Sequence, residues 1–238
     1  MNIVKSWYKA LRRHAAGWKG PLRYQIARMA NSPDAFLKLC YGGVIHVGAN
    51  DGQERYLYSE NKLKVVWVEA IPDMYGNLLR NIEPYPDQKA INALITDRDG
   101  ESRTMHISNN YGMSSSIFEL LDHKDIWPDV HYVHEIQLTT STLKSALANA
   151  KINPNEYDAL VMDTQGSELL VLKGAEDLLA NFKYIKTEAA DFEIYENCAT
   201  TDQLCSFLEA RGFSLVRKDE FARREGGGAC FELLFARN

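Results

Sequence analysis

The sequence contains few cysteines and no long hydrophobic run. Its 238 residues include only four cysteines, which show neither Cys-x-x-Cys nor zinc-ligand spacing: Cys40, Cys198, Cys205 and Cys230. We therefore expect reduced structural thiols rather than a disulfide framework or a zinc centre. No apolar run approaches the ~18 residues that a membrane span needs, and the N-terminus lacks the apolar segment of a signal peptide. A cytoplasmic location is the expectation that follows.

Acidic residues are also missing from one part of the chain. Residues 1–30 hold seven Lys or Arg and no acid, whereas the remainder carries 20 basic and 32 acidic residues. Apolar residues at helical spacing between Ile3 and Leu11 predict a basic amphipathic helical segment over 1–32. It could dock as a cap on its own domain or on a partner subunit, in a homo-oligomer for example. It could also contact an anionic membrane surface or an acidic glycan peripherally. The acidic remainder argues against a nucleic-acid partner.

The rest of the chain, 33–238, has a composition typical of one globular domain, with 45% hydrophobic and 25% charged residues over the whole sequence. Strand-like and helix-like stretches alternate along it, which predicts an α/β fold with a mostly parallel sheet. The predicted strands are 44–47, 64–68, 89–95, 158–162 and 184–187, followed by an antiparallel pair at 213–217 and 230–236; the predicted helices are 34–40, 53–61, 72–82, 167–179 and 201–211.

One segment, 97–137, interrupts this alternation. Asp99-Gly100 is a turn signal, and 104–108 and 132–138 have the pattern of extra strands. We interpret it as an insertion over the carboxyl ends of the sheet, where loops carry specificity.

The first strand-loop-strand unit indicates a nucleoside site. Gly48 and Gly52 follow a short apolar run, and Glu69 closes the next run 21 residues after Gly48. Glycines allow a sharp turn and a close approach of the backbone to a ligand. A carboxylate at the end of the second strand can accept both hydroxyl protons of a ribose. NAD and S-adenosylmethionine both contain a ribose; a turn that binds nothing is the remaining alternative.

The charge of the loop separates the two cofactors. A dinucleotide site has G-x-G-x-x-G spacing and no negative charge near the pyrophosphate. This loop lacks one glycine and contains Asp51. A carboxylate repels a diphosphate but is compatible with the ammonium and sulfonium of S-adenosylmethionine. The loop therefore favours S-adenosylmethionine, and a nicotinamide-dependent oxidoreductase is the alternative enzyme.

Five elements resemble the FkbM family of S-adenosylmethionine-dependent methyltransferases: Val44–Gly52, Val68–Pro72, Thr96–Gly100, Ser114–Ser116 and Leu160–Ala175. The last, with its Asp-x-x-Gly-x-Glu core and Leu-Lys-Gly-Ala tail, is the most specific. The resemblance covers about residues 35–238. It implies a class I methyltransferase fold: a Rossmann-like, seven-stranded, mostly parallel sheet with helices on both faces and an antiparallel last strand. It also implies methyl transfer to a hydroxyl of a sugar or a natural product.

The chain departs from the family pattern at two positions. His46 stands where the first strand usually has Asp, and Val161 stands where the fourth strand usually has Lys. The first change alters the contact expected for the amino group of the cofactor, although His46 could equally be a core histidine. The second removes a charge partner of nearby carboxylates. Such losses keep open a catalytically silent partner subunit with the same fold.

Candidate site residues follow from these elements. We expect the cofactor to be bound by His46, Gly48, Ala49, Asn50, Asp51, Gly52, Glu69, Ala70, Asn92, Ala93 and Asp163. A sugar hydroxyl is a weak nucleophile until its proton is removed, so a base is required. Asp163 is our first candidate base, with Glu188 as its neighbour, because both end strands at the ligand-binding edge. Asp163 as a helix cap and the two acids as Mg²⁺ ligands are the alternatives, and we assign no metal site.

The acceptor-binding candidates lie mainly in or near the insertion. We expect Ser115, Ser116, His106 and Gln165 to contact the acceptor. His106, His123, His131 and His134 are alternative bases, each of which could instead be a solvated or structural histidine.

Overall fold

A seven-stranded sheet forms the centre of the fold in the computed structural model, which describes residues 33–238. The predictions for 1–32 lie outside the described residues. The strands in chain order are β1 (Gly43–Val47), β2 (Lys64–Glu69), β3 (Gln88–Asn92), β4 (Leu94–Ile95), β5 (Ser102–Ser108), β6 (Tyr132–Ser141), β7 (Ala159–Met162), β8 (Tyr184–Ala190), β9 (Phe213–Arg223) and β10 (Ala229–Arg237).

The central sheet has the order β3-β2-β1-β7-β8-β10-β9. All pairs from β3 to β8 are parallel, and β10 runs antiparallel to both of its neighbours. The predicted mostly parallel sheet with an antiparallel last strand is confirmed. Strand order reverses between β1 and β7, which is the point where open α/β sheets bind ligands beyond the carboxyl ends of their strands.

Helices cover both faces of this sheet. They are α1 (Arg55–Glu60), α2 (Pro72–Ile82), α3 (Leu143–Asn149), α4 (Glu168–Gly174) and α5 (Thr201–Glu209). Leu78 of α2 belongs to one buried cluster with Val44, while Leu147 of α3 and Leu172 of α4 belong to the other with Ile45. Every residue of β1 is buried, because a strand covered on both faces has no solvated side.

Three predicted elements differ in the structure. The stretch 89–95 is two strands, because β3 pairs with β2 in the central sheet while Leu94–Ile95 pair with β6. Between them the side-chain amide of Asn92 donates to the carbonyls of Glu69 and Ala70. The helix predicted over 167–179 ends at Gly174 and continues as a 3-10 helix over Glu176–Asn181. The helix predicted over 34–40 is a short 3-10 helix, Ala35–Leu39.

The closing hairpin is also longer than predicted. β9 continues past its predicted end at 217 to Arg223, and β10 runs from Ala229 to Arg237 where 230–236 was predicted. Backbone pairing, which the side-chain pattern does not reveal, lengthens both strands.

The segment 97–137 forms most of a second sheet with the order β4-β6-β5. Its residues Met105, Gly112, Met113 and Ile117 line a cavity together with Gly48 at the end of β1. The segment therefore lies over the ligand-binding edge. Among residues 33–238, no helix is both long and apolar enough to cross a membrane.

Candidate active site

The loop after β1 approaches the loop after β7 very closely at Gly48. Gly48 has φ +83°, and a Cβ on it would lie 1.8 Å from the carbonyl oxygen of Asp163. The N–H groups of Gly48 and Ala49 both donate to the carbonyl of Val68, at 2.9 and 3.1 Å. Only glycine fits this position, because any side chain would separate the two loops.

Glu69 at the end of β2 holds the same loop from the other side. Its Oε2 accepts from the N–H of Asn50 at 2.7 Å, and its Oε1 accepts from the N–H of Ile71 at 2.8 Å. Burial raises the pKa of Glu69 to about 7, and these backbone hydrogen bonds oppose the rise. Each oxygen keeps a further lone pair for a ligand hydroxyl, so Glu69 can bind a ribose while it organises the loop.

A cavity of about 180 Å³ lies between these loops, and we call it the cofactor cavity because many of the predicted cofactor residues line it. Its lining includes eight of the predicted cofactor residues: His46, Gly48, Ala49, Asn50, Glu69, Ala70, Ala93 and Asp163. Asp51, Gly52 and Asn92 are absent from the lining, and they support it instead. The N–H of Gly52 donates to Ala49, the carbonyl of Asp51 accepts from the amide of Asn81, and Asn92 holds the end of β2.

The charge of this cavity fits S-adenosylmethionine better than a dinucleotide. Glu54, Glu69 and Asp163 contribute carboxyl groups, and none of the lining residues within 33–238 is Lys or Arg. A pyrophosphate would meet no cationic side chain from this part of the chain, whereas a sulfonium and an ammonium are stabilised by carboxylates. Gly48 to Asn50 and Glu69 would hold the nucleoside, and the carboxyl groups would face the cationic part.

His46 is a core histidine that also borders this cavity. Its Nδ1 shares a 2.9 Å hydrogen bond with the hydroxyl of Tyr58, and its ring stacks on Trp67 with centroids 4.9 Å apart. Burial lowers the pKa of His46 to about 3, so the ring is neutral near neutral pH. An imidazole brings no negative charge in place of the family's usual Asp, and in its neutral form it adds no positive charge beside the cavity either.

Asp163, the residue after β7, lines the cofactor cavity and two further cavities. Its Oδ1 accepts from the side-chain amide of Gln165 at 2.5 Å, and Gln165 Oε1 accepts from the hydroxyl of Tyr195 at 2.6 Å. This Tyr195–Gln165–Asp163 chain orients the carboxyl group. Asp163 does not cap α4: Glu168 accepts from the N–H groups of Thr164 and Gly166 there.

The second cavity, of about 230 Å³, shares Asp163, Gln165 and Met113 with the cofactor cavity. Its other lining residues include the aromatic side chains of Trp127, Tyr195 and Phe221. A molecule bound here would reach the cofactor cavity beside Asp163. The arrangement suits a small acceptor placed next to a methyl donor.

The strand predicted over 184–187 extends to Ala190 by pairing with β10, so Glu188 lies within β8 and not at its end. Glu188 lines the second cavity and a third, smaller one of about 70 Å³. Burial raises the pKa values of both Asp163 and Glu188 well above their ordinary values, and that of Glu188 further. Repulsion from Glu168 and Glu54 adds to the rise at Asp163, and repulsion from Asp163 and Glu168 adds to the rise at Glu188. Asp163 therefore becomes a base at lower pH than Glu188 does, which makes Asp163 the better candidate for proton removal.

Val161 stands where the family usually has a lysine in the fourth strand, and Lys186 lies beside it on the neighbouring strand β8. It pairs in register with Val161, and its Nζ lies 2.8 Å from both Asp34 and Glu232. Its charge lowers the pKa values of Asp163 and Glu188, although less than burial raises them.

The predicted acceptor-binding residues have separate places. Gln165 lines both main cavities, and Ser115 lines the cofactor cavity. Ser116 is buried and donates to the carbonyl of Gln165 at 2.7 Å, so it fastens the insertion to the loop after β7. His106 lies outside the cavities, stacked on Tyr132 with its ring nitrogens 3.5 and 3.2 Å from two glutamates.

Within residues 33–238, the His, Cys and carboxylate groups close enough together to hold a metal ion are those of His106, Glu119 and Glu135. The two glutamates face different nitrogens of the same ring, which is the geometry of an imidazole held between two carboxylates. Asp163 and Glu188 do not belong to such a group.

Sequence reasoning missed the aromatic lining of the second cavity. Trp127, Tyr195 and Phe221 lie in irregular segments and in the extension of β9, where no periodic pattern marks them. A signal existed only for Tyr195, which lies among several acids and aromatics just after β8.

The sheet order and the charge of the cofactor cavity define a class I S-adenosylmethionine-dependent methyltransferase. The model of the methyltransferase FkbM domain matches residues 46–215, so the chain belongs to that family. The expected family and cofactor are confirmed.

Comparisons with individual proteins are consistent with this family and this fold. The chain is 26% identical over 208 residues to the 2-O-methyltransferase NoeI of Sinorhizobium fredii (strain NBRC 101917 / NGR234), covering 82% of each chain. Among solved structures, it is similar in fold to the magnesium protoporphyrin IX methyltransferase ChlM from Synechocystis PCC 6803 with bound SAH. That likeness has a TM-score of 0.50 and 10% identity over 98% of this chain and 94% of the other.

Proposed function

We propose that this methyltransferase transfers a methyl group to a hydroxyl oxygen of a sugar, a glycan or a related natural product. The observation that carries the proposal is the position of Asp163, which lines both the cofactor cavity and the second cavity. The name of its relative, a 2-O-methyltransferase, supports an oxygen acceptor.

In this proposal the protein contributes mainly position and proton removal. When bound, S-adenosylmethionine supplies an electrophilic methyl group on a sulfonium sulfur. The second cavity holds the acceptor hydroxyl against that group, and exclusion of water by the insertion keeps the two reactants together. Asp163 would accept the proton of the acceptor hydroxyl as that oxygen takes up the methyl group, for which a neutral thioether would be the leaving group.

Gln165 and Glu188 have supporting roles. The amide of Gln165 holds one oxygen of Asp163, which leaves the other oxygen for the acceptor. Because its pKa is raised further, Glu188 keeps its proton at pH values where Asp163 has lost its own, so its carboxyl group can donate to an acceptor oxygen.

The test compares Asp163→Asn with the parent enzyme and an exposed control, Asp177→Asn. Asparagine keeps the shape and can still meet Gln165, so we expect S-adenosylmethionine affinity within a few-fold of the parent. Turnover with a sugar acceptor should fall roughly 10²-fold or more. The raised pKa also predicts that parent activity increases with pH as Asp163 loses its proton, and Asp163→Asn should lack this limb.

Two results would contradict the proposal. Full turnover in Asp163→Asn would place the base elsewhere. Tight S-adenosylmethionine binding by the parent without transfer to any hydroxyl compound would favour the catalytically silent subunit. EDTA should leave turnover unchanged, since no step of the proposed mechanism uses a metal ion.

A further inference from the structure

Three carboxyl groups of the described residues line the cofactor cavity, those of Glu54, Glu69 and Asp163. Glu69 accepts from two backbone N–H groups at the end of β2, and Asp163 accepts from the amide of Gln165 where the second cavity begins. Among residues 33–238, the carboxyl group of Glu54 accepts only from its own N–H, and it caps no other N–H of α1. Glu54 is therefore the acid of this cavity that is left to meet a ligand.

Glu54 stands immediately before α1, beside the histidine that replaces the family's usual acid. The N–H of Tyr58 in the same helix donates to the carbonyl of Glu54 at 3.1 Å, and the hydroxyl of Tyr58 shares its hydrogen bond with His46. Glu54 and His46 both line the cofactor cavity and the third cavity, and Glu54 is only partly buried, so a ligand can reach it. The start of α1 thus brings a carboxyl group to the place where β1 lacks one.

A carboxylate at this place matches the charge of the cofactor. S-adenosylmethionine carries an ammonium group, which loses hydration when it enters a partly buried site and therefore needs an acceptor there. Burial raises the pKa of Glu54, and the hydrogen bond from its own N–H and the charge of Lys186 oppose the rise. An ammonium group beside Glu54 would favour the ionised carboxylate further, because opposite charges stabilise each other.

Lys186, the cation that acts on Glu54, already has other partners. Its Nζ lies 2.8 Å from a carboxylate oxygen of Asp34 and 2.8 Å from one of Glu232. Lys186 lines the third cavity and is absent from the lining of the cofactor cavity. Because two carboxylates balance its charge on that side, Glu54 stays available for a cation on the cofactor side.

We propose that Glu54 binds the ammonium group of S-adenosylmethionine and so supplies, from the start of α1, the acid that the family usually places in β1. The inference concerns the cofactor, so it does not depend on which acceptor is methylated. A hydrogen bond between an ammonium group and a carboxylate is charge-assisted and stronger than one between neutral groups. Its loss should therefore weaken those ligands that carry the ammonium group and spare those that lack it.

The test uses two analogues of S-adenosylhomocysteine with the same nucleoside and the same three-carbon chain. 5′-S-(3-aminopropyl)-5′-thioadenosine keeps the ammonium group and lacks the carboxylate, whereas 5′-S-(3-carboxypropyl)-5′-thioadenosine keeps the carboxylate and lacks the ammonium group. Titration calorimetry measures the binding of each to the full chain. In Glu54→Gln, the affinity for S-adenosylhomocysteine and for the aminopropyl analogue should fall about 5- to 30-fold, as expected for one charge-assisted hydrogen bond. The affinity for the carboxypropyl analogue should stay the same or rise, because a like charge is removed.

Two further variants separate charge from shape. Glu54→Asp keeps the negative charge on a shorter side chain, so it should bind the aminopropyl analogue more tightly than Glu54→Gln does. Glu60→Gln neutralises an exposed acid at the other end of α1 and should bind every ligand as the parent does. Binding of the carboxypropyl analogue also checks that each variant is folded.

Unchanged affinity for the aminopropyl analogue in Glu54→Gln would overturn the inference, since the ammonium group would then bind elsewhere. An equal loss for both analogues would also overturn it and leave Glu54 a purely structural role. Methyl transfer to a hydroxyl is measured separately. If the analogues bind as expected but no hydroxyl compound is methylated, the role of Glu54 stands and the proposed reaction fails.

Discussion

The two main cavities are built differently, although they meet at Asp163. Most of the cofactor cavity is lined by three successive strand ends and the loops after them, 46–54, 68–71 and 93–95. The second cavity is lined by five segments scattered over 110–114, 123–127, 163–168, 188–199 and 221–230. Local sequence thus specifies most of the cofactor cavity, whereas long-range packing assembles the second.

The two cavities also differ in how their acids are satisfied. Both oxygens of Glu69 accept backbone N–H groups, but the carboxyl group of Glu188 has no such partner among the described residues. The cofactor side is not free of unpaired atoms, since Oδ1 of Asp51 is buried without a partner. We infer that the chain itself preorganises the cofactor loop and that the second cavity leaves polar groups for its ligand.

The largest expected effect comes from substituting Gly48, in the loop that lines the cofactor cavity. In Gly48→Ala the new Cβ would meet the carbonyl oxygen of Asp163 at 1.8 Å, so the two loops must separate. We expect binding of S-adenosylhomocysteine to be lost and unfolding free energy to fall by about 2–4 kcal/mol. Calorimetry and thermal unfolding measure the two effects.

Gly76→Ala is the matched control for that change. Gly76 lies in α2, and a Cβ there meets nothing within 4 Å. Alanine should therefore stabilise the protein by roughly 0.5–1 kcal/mol with unchanged cofactor affinity. Normal cofactor binding by Gly48→Ala would show that the close approach of the loops is not required.

Removing Glu69 should have the next largest effect. Glu69→Ala loses the proposed ribose contacts and also leaves the N–H groups of Asn50 and Ile71 without their acceptor. The expected loss in S-adenosylmethionine affinity is on the order of 2 to 4 kcal/mol, or roughly 30- to 1,000-fold. Glu60→Ala, an exposed acid of α1, should bind as the parent does. Parent-like affinity in Glu69→Ala would mean that the cofactor site is assigned wrongly.

Tyr195→Phe tests the orientation of Asp163 from the second cavity. It removes the hydroxyl that donates to Gln165 and keeps the ring. Turnover should decrease by about 3- to 10-fold, the equivalent of one hydrogen bond, while the KM for S-adenosylmethionine stays constant. Tyr41→Phe, at an exposed position, is the control. A change in cofactor KM with constant turnover would indicate that Tyr195 shapes the cofactor cavity instead.

The smallest expected effect is the stability change on neutralising Glu188. Its pKa in the folded protein is raised above the unfolded value of about 4.3. A raised carboxyl pKa stabilises the fold fully below the unfolded pKa, and this contribution is lost as pH rises through the folded pKa. Glu188→Gln should therefore gain thermal stability over the parent as pH increases from 5 to 9.

Thermal unfolding at both pH values measures this gain, and Glu225→Gln, which changes an exposed acid of the β9–β10 turn, provides the baseline. A difference between Glu188→Gln and the parent that does not vary with pH would contradict the raised pKa. The expected gain is a few degrees, because it arises from one partly buried group.

Much of the cavity that we assign to the cofactor is encoded in local sequence. Gly48, Glu69 and the strands that carry them lie within one local unit whose spacing has a direct physical cause, and eight of eleven predicted cofactor residues line the cavity. Prediction failed where contacts with distant parts of the chain decide the end of an element. β3 pairs with β2 only as far as Asn92, and Leu94–Ile95 pair with β6 instead. Gly174, the last residue of α4, lies so close to the backbone of Thr96 that a Cβ would be 2.1 Å from its carbonyl oxygen.

The sequence by itself determined the parallel sheet, the family and the cofactor class, because hydrophobic periodicity and glycine spacing act over short stretches of chain. Only the tertiary structure brought Lys186 beside Val161, linked Tyr195 through Gln165 to Asp163, and gathered His123 and Phe221 around Glu188. These contacts join residues far apart in the chain. They depend on which strands become neighbours and how the loops cross the sheet edge, and no local pattern encodes that.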